Sequence, residues 1–257
     1  VPVQPEPEYV DLGLRVKLAT FNVGASKPED YGDYFAWGET EPKEEYTWEN
    51  YKWCNGTQNN MTKYNTTDGK TILEPEDDAA QVQWGDKWRM PTKDEMQELF
   101  DNCTWTEETR NGINGYIVTG PNGNSIFLPR AGFYNYDEFG VSLQKPGHSV
   151  YYWTSTIYDS GSMNARDYIN AWDLVMTGLW DDNRLMDNTR RLGLSIRPVY
   201  DDVPDPCLVV KVNDTLSINM MCVEGETFMM GAMEGDTQAY DNEKPAHEVT
   251  LTYDYYI

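Results

Sequence analysis

Between residues 151 and 197 the chain gathers side chains suited to gripping a ligand rather than to breaking bonds. They are Tyr158, Tyr168, Trp172, Trp180, Arg184, Arg190 and Arg191, with Asp182 among them, interleaved with Asn, Asp, Ser and Met. Tyr, Trp and Arg bury large, rigid surfaces at modest entropic cost, which is why they concentrate at binding hot spots. The same aromatic rings stack on sugar faces. Residues 151–200 hold six acidic and five basic residues, against 25 and 13 in residues 1–150 and 12 and 2 in residues 201–257. The acidity that dominates the chain therefore lapses where the aromatics and arginines gather, and these eight residues form the candidate ligand-facing set. Trp153, Ile157, Leu174, Leu179 and Ile196 in the same stretch are expected in the core, and part of the aromatic set with them, because a loop-rich fold needs large side chains to fill its interior.

Catalysis finds less support. A Ser-His-Asp or Cys-His arrangement needs an imidazole base, and the chain has only His148 and His247. His148 lies in the turn sequence Lys145-Pro-Gly-His-Ser149 with no nucleophile signature beside it. Histidines paired at helical spacing, Cys-x-x-Cys and a phosphate-cradling Gly loop are all missing from the sequence. Carboxylates are plentiful, but glycosidase chemistry needs two of them facing each other with unequal pKa values. Asp77-Asp78 reads as a pair at a helix N-terminus and Asp181-Asp182 as a solvated loop. Either could instead contribute to a calcium site, whose six to eight oxygen ligands often come from acidic loops.

A formal charge of -23 over 257 residues excludes nucleic acid and anionic membranes as natural partners, since tracking a phosphate backbone requires a basic stripe. It suits a solvated extracellular surface or a divalent cation, so calcium is the one candidate cofactor. Four cysteines (Cys54, Cys103, Cys207, Cys222) are too sparse for a disulfide-built fold. Pairing of Cys54 with Cys103 and of Cys207 with Cys222 stands open beside free buried thiols. No run of 18 apolar residues occurs, so no membrane insertion is expected.

The elements that must position these residues read as short strands and long loops, broken by Gly, Asn, Asp and Pro. One helix is explicit around 91–102, with Thr92 as N-cap, Glu95 as its capping-box partner, and Met96, Leu99 and Phe100 on one face. A second is expected around 75–82, and Pro28-Glu-Asp-Tyr31 reads as a turn. Gly115–Thr119 and Ser125–Leu128 form a hairpin across Gly120-Pro-Asn-Gly123. Tyr151–Ser155 and Leu194–Val199 are expected as core strands of one sheet. Pattern alone gives an α+β class. Residues 1–8 read as a Pro-rich linker, 9–200 as one domain, 201–206 as a second linker, and 207–257 as the start of a further β-rich domain in a chain excerpted from a longer polypeptide.

Asp11-Leu-Gly-Leu-Arg-Val-Lys-Leu-Ala-Thr-Phe-Asn-Val-Gly24 and the following Tyr34-Phe-Ala-Trp-Gly-Glu-Thr40, taken with Trp88-Arg-Met-Pro-Thr92, Ile126-Phe-Leu-Pro129 and Ser195-Ile-Arg-Pro-Val199, form an ordered motif set. It resembles a paralogous domain found in many copies in surface and secreted proteins of gut Bacteroidetes and Fibrobacter. That domain is similar to the C-type-lectin-like fold: a small twisted antiparallel sheet, two helices and long loops. Leu18 and Phe21 stand where that pattern has Trp and Cys, which touches packing or a disulfide rather than a site. The Glu-Pro-Asn and Trp-Asn-Asp signatures of calcium-dependent sugar binding are missing, and Trp180-Asp-Asp182 only loosely echoes the latter. In lectin-like domains the stretch before the last strand supplies the ligand-facing loops, and it corresponds to the variable segment of proteins diversified by retroelements. Phe228-Met-Met-Gly231 and Glu243-Lys-Pro-Ala-His-Glu-Val249 resemble the opening of a formylglycine-generating-enzyme-like (sulfatase-modifying factor) domain, whose reactive cysteines lie downstream of anything present here.

The resulting expectation is a non-enzymatic recognition or adhesion module, secreted or on a bacterial cell surface, that binds a host or bacterial surface protein or a glycan. The competing expectations are the targeting part of a sulfatase-modifying-type or carbohydrate-active enzyme, and a pilus, stalk or phage receptor-binding subunit on a virion surface. Sequence leaves the oligomeric state open.

Overall fold

The computed structural model describes residues 6–137, 140–159, 167–177 and 184–201, and beyond them only the strands 208–211, 217–220, 222–223, 227–230, 247–250 and 255–256. Two compact units result, Val1–Asp202 and Val203–Ile257. The class is α+β, with mostly antiparallel sheets and two α-helices among the described residues.

In the first unit the strands are β1 (Tyr9–Val10), β2 (Lys17–Ala19), β3 (Trp88–Arg89), β4 (Thr104–Arg110), β5 (Ile113–Thr119), β6 (Ser125–Pro129), β7 (Phe133–Asp137), β8 (Gly140–Gln144), β9 (Val150–Ile157), β10 (Asn170–Met176), β11 (Arg184–Thr189) and β12 (Val199–Tyr200). The helices are α1 (Ala79–Trp84) and α2 (Lys93–Asn102). One sheet, in the order β1-β2-β12-β3, ties the unit's first and last strands together; others are β4-β5-β6, β7-β8 and the central β11-β10-β9.

Strand alternation makes the central sheet a partition between two cores. Tyr151, Trp153, Ala171 and Val175 enter a core with Phe35, Trp37, Tyr64 and Leu194. Their neighbours Val150, Tyr152, Leu174 and Met176 enter a second core with Leu12, Leu18, Val118 and Met96 and Leu99 of α2. A third cluster is aromatic, built from Tyr34, Tyr46 and Tyr51 with Cys54 and Ala131. Trp153, Ile157, Leu174 and Ile196 are buried as expected; Leu179 lies outside the described residues.

The helix at 91–102 forms as its sequence predicts. The Thr92 side chain accepts from the Glu95 amide, the Glu95 carboxylate accepts from the Thr92 amide at 2.8 Å, and Met96 and Leu99 are buried. The expected helix at 75–82 is two elements: a 3-10 turn at Pro75–Asp77, then α1. Asp78 interrupts them with extended backbone (φ -90, ψ 110), because its carboxylate caps α1 by accepting from the Ala80 and Gln81 amides. Its other oxygen accepts from the Met90 amide at 2.8 Å and so ties α1 to the segment entering α2. Pro28 and Glu29 form a turn.

The hairpin β5-β6 closes across Gly120–Gly123, with Thr119 opposite Ser125. Gly120 is required by close approach: a Cβ there would sit 2.0 Å from the Leu12 carbonyl oxygen.

One expectation is corrected. Tyr151–Ser155 lies in β9, but Leu194–Val199 is not a second strand of that sheet. Leu194 bridges Phe35, Ser195 bridges Tyr152, and strand pairing resumes only at Val199–Tyr200 in the other sheet. The residues between cannot continue a ladder: Pro198 has no amide hydrogen, and the Arg197 side chain is buried among backbone groups. Arg197 donates from Nε to Asn22 Oδ1 at 2.8 Å, from Nη1 to the Ala19 carbonyl at 3.1 Å and from Nη2 to the Phe127 carbonyl at 3.0 Å. Of the two readings left open for the cysteines, the structure has Cys54 and Cys103 free, the first packed in the aromatic cluster and the second against the core on the α2 side; Cys207 lies outside the described residues.

In the second unit, β13 (Leu208–Lys211) pairs with β14 (Ser217–Met220), β15 (Cys222–Val223) with β18 (Tyr255–Tyr256), and β16 (Thr227–Met230) with β17 (His247–Thr250). The last pairing sets Phe228 opposite Val249 and Met230 opposite His247, so the described parts of the two motif segments lie side by side. No helix among the described residues is long and apolar enough to cross a membrane.

Candidate functional site

Trp172 lies near the middle of β10, and the strand beside it is irregular. Ala171 pairs with Ile157 while Asp173 pairs with Trp153, so Thr154, Ser155 and Thr156 of β9 all stand opposite Trp172. This bulge redirects β9 side chains and amides outward from the ladder. Thr154 Oγ1 donates to the Trp172 carbonyl at 2.8 Å, the Ser155 amide donates to the Pro91 carbonyl at 2.8 Å, and Thr156 Oγ1 accepts from the Lys93 amide at 3.0 Å. The start of α2 is thereby fastened to the sheet edge, and the Lys93 ammonium stands 3.9 Å from the centre of the Trp172 ring. Tyr158, just past β9, donates its amide to the Asn170 carbonyl at 3.1 Å and packs its ring 5.1 Å from Trp172 at a 57° tilt. Trp172, Tyr158 and Lys93 are all partly exposed. Cross-strand from Trp172, Asp187 accepts from Asn170 Nδ2 at 2.7 Å.

On the opposite face of the same hairpin, Asp173 is fully buried, and both its oxygens are 3.0 Å from Asn188 Nδ2. Burial pushes its carboxyl well above the ordinary range, and the nearby Asp187 adds to the shift.

The structure brings together only part of the expected site. Tyr158 and Trp172 meet. Arg190 is a correction: it is fully buried, donating to Tyr51 Oη at 2.8 Å and to the carbonyls of Tyr168 (2.9 Å), Lys63 (3.1 Å) and Tyr64 (3.2 Å). Trp37, Tyr51 and Tyr64 surround its guanidinium. With four of its five donors engaged and no exposure, it braces loops and faces no ligand. Tyr168 is also buried, at 9 %, and lines a recess of about 140 Å³ with Gln58, Met61 and Asn65. That is below the roughly 300 Å³ at which pockets for organic ligands begin. Arg191 is partly buried elsewhere, donating to the Tyr46 carbonyl at 2.7 Å and Asn135 Oδ1 at 3.1 Å. Trp180 and Asp182 lie outside the described residues, and of Arg184 only the backbone, paired with Val175, is described.

Among the described residues, Glu74, Glu76 and Asp77 are the acidic group close enough to share a cation. An ammonium already occupies it: Lys63 Nζ lies 2.5 Å from Glu74, 2.5 Å from Asp77 and 3.6 Å from Glu76. Hydrogen bonds from Lys63 and Lys70 hold the Glu74 carboxyl down to about 2. The paired lysines make this cluster an ion-pair network rather than a calcium cage. Asp181 and Asp182 lie outside the described residues. Asp77 also accepts from Tyr64 Oη at 2.7 Å, so it is a buried structural group, while Asp78 is the helix cap described above. His148 is exposed in its turn and makes no side-chain hydrogen bond among the described residues.

Sequence reasoning missed Lys93 and Thr156. One signal for Lys93 was available: a cation in the first turn of a helix stands against the helix dipole, an arrangement that costs stability and so asks for a reason. Nothing in the sequence signalled Thr156, because its role depends on the bulge. No protein-family model matches this chain, and no curated protein or solved structure matches it either.

Proposed function

We propose that the first unit is an extracellular, non-enzymatic recognition module of the C-type-lectin-like kind, related to the Bacteroidetes and Fibrobacter paralogous domain, and that it binds a glycan. The second unit, on this reading, opens a formylglycine-generating-enzyme-like domain. Fold support comes from the ordered motifs, the two helices and the small antiparallel sheets joined by long loops. The observation that carries the function is the partly exposed Tyr158–Trp172 ring pair on the bulged sheet edge. Two rings tilted against each other present an apolar platform the size of a sugar, with hydrogen-bonding Asn170 and Asp187 on the same hairpin.

The test is a glycan-array screen of residues 1–257 with calcium and with a chelator, followed by titration of Trp172→Ala and Tyr158→Ala against any hit. The reading expects saturable binding that survives chelation and falls at least tenfold in Trp172→Ala. Binding left intact by both substitutions refutes the placement, and loss on chelation moves the site to acidic loops.

A further inference from the structure

Lys93 has an unusual set of surroundings. It is the first residue of α2, where the helix dipole disfavours a cation, and it is partly withdrawn from water. Its Nζ makes no hydrogen bond and no ion pair among the described residues, and it stands over the Trp172 ring face. Most other cations of the unit are satisfied. Arg15 pairs with Glu98, Lys43 with Glu39, Lys63 and Lys70 with Glu74, Arg89 with Glu95 and Asp201, and Arg130 with Glu107. In a chain of net charge -23, an ammonium with no carboxylate partner among the described residues is out of keeping with its setting.

Two acids of the surrounding elements are already engaged. Asp187 is held by Asn170, and Glu95 is held through both oxygens by Arg89. A cation–π contact offsets part of the desolvation of Lys93 but supplies no acceptor for its three N–H donors. The ammonium, held in place through the Lys93 amide on Thr156, thus presents unused donors beside an aromatic platform.

Resting on the recognition reading above, we propose that this face selects acidic sugars. The Lys93 ammonium pairs with the carboxylate of a uronic or sialic acid residue while Tyr158 and the part of Trp172 that Lys93 leaves open take its apolar ring face. An ammonium suits this task as a compact point charge that reaches a carboxylate from several directions. The protein's overall negative charge does not forbid it. At about 0.15 M salt, charges more than roughly 8 Å away are largely screened.

The experiment titrates the whole chain with trigalacturonic acid, a glucuronic acid disaccharide and sialyllactose, each beside its methyl ester, which keeps the sugar and removes the charge. Wild type should bind at least one acid tenfold or more tighter than its ester. Lys93→Gln should bind acid and ester alike, at the wild-type affinity for the ester; Lys93→Arg should keep the preference; Trp172→Ala should bind neither form. Unchanged tryptophan emission and unfolding midpoint in Lys93→Gln show that the fold is intact. Equal wild-type affinity for acid and ester overturns the inference while leaving the recognition reading standing. A preference that persists in Lys93→Gln overturns it too, as does failure to bind any of the three acids. Failure to bind acids, esters and neutral array glycans alike sinks both readings.

Discussion

Replacing Arg190 by methionine separates a brace from a ligand contact. The substitution keeps the length of the side chain and removes its donors. Three backbone carbonyls, of Lys63, Tyr64 and Tyr168, then lose a partner in the interior, as does the acceptor side of Tyr51 Oη, which still donates to the Trp37 carbonyl at 2.6 Å. Each orphaned buried group costs about 1–3 kcal/mol, and three lost ring contacts add roughly 0.5–1 kcal/mol each. Against this, a charge that meets only neutral groups no longer has to be desolvated, which returns several kcal/mol. The net expectation is a loss of about 3–5 kcal/mol, a large share of a typical domain stability of about 5–15 kcal/mol.

All nine tryptophans lie between Trp37 and Trp180, inside the first unit, so tryptophan emission during urea unfolding of the whole chain reports that unit alone. With a slope of about 2 kcal/mol per molar urea, the midpoint should fall by about 1.5–2.5 M. Arg190→Lys keeps the charge but not the planar fork and should fall comparably. A methionine variant unfolding within about 0.3 M of wild type would show that the guanidinium network does not hold these loops.

Other outcomes are expected from the same unit. Burial pushes the Asp78 carboxyl up to about 6 from 3.8. The folded state therefore holds this proton more tightly than the unfolded chain; the stability it contributes is complete below about pH 4 and lost as pH rises through 6, about 3 kcal/mol in all. In urea series across pH 4–7 the advantage of wild type over Asp78→Asn should shrink as pH rises, and a growing advantage contradicts the argument. Asp173→Asn should leave the midpoint at pH 8 unchanged or raised, since the native carboxyl is held toward its neutral form; a fall of more than 1 M would mean that the ionised form is needed. Thr92→Ala removes one half of the capping box and should cost about 1 kcal/mol by the same assay. Dithiothreitol should not move the tryptophan-detected midpoint, because Cys54 and Cys103 are free thiols.

Much of the first unit's local structure is written in short stretches of sequence. Thr92 and Glu95 specify the start of α2 because a capping box needs only four consecutive residues. Gly120–Gly123 specifies the β5-β6 hairpin because turn geometry is a property of the residues in the turn. The apolar run of β9 announces burial on both faces, and the central sheet duly separates two cores. The break at Asp78 was not legible, because the carboxylate that caps α1 also reaches the Met90 amide, twelve residues away.

The candidate site divides in the same way. Composition drew attention to residues 151–197 and placed Tyr158 and Trp172 there, but an arginine has the same letter whether it meets a ligand or a carbonyl. Arg190 went inward because loops carrying Lys63 and Tyr168, distant in sequence, bring their carbonyls together around it, and a rigid fork of donors suits such a convergence. Lys93 came to stand on Trp172 because a bulge in β9 offers Thr156 to its amide. Residue types and short-range spacing thus determined which elements form and which chemistry is at hand. Tertiary structure alone decided which charges are consumed in holding the loops and which, among the described residues, stand without a carboxylate, since pairing depends on groups that meet only when the chain has folded.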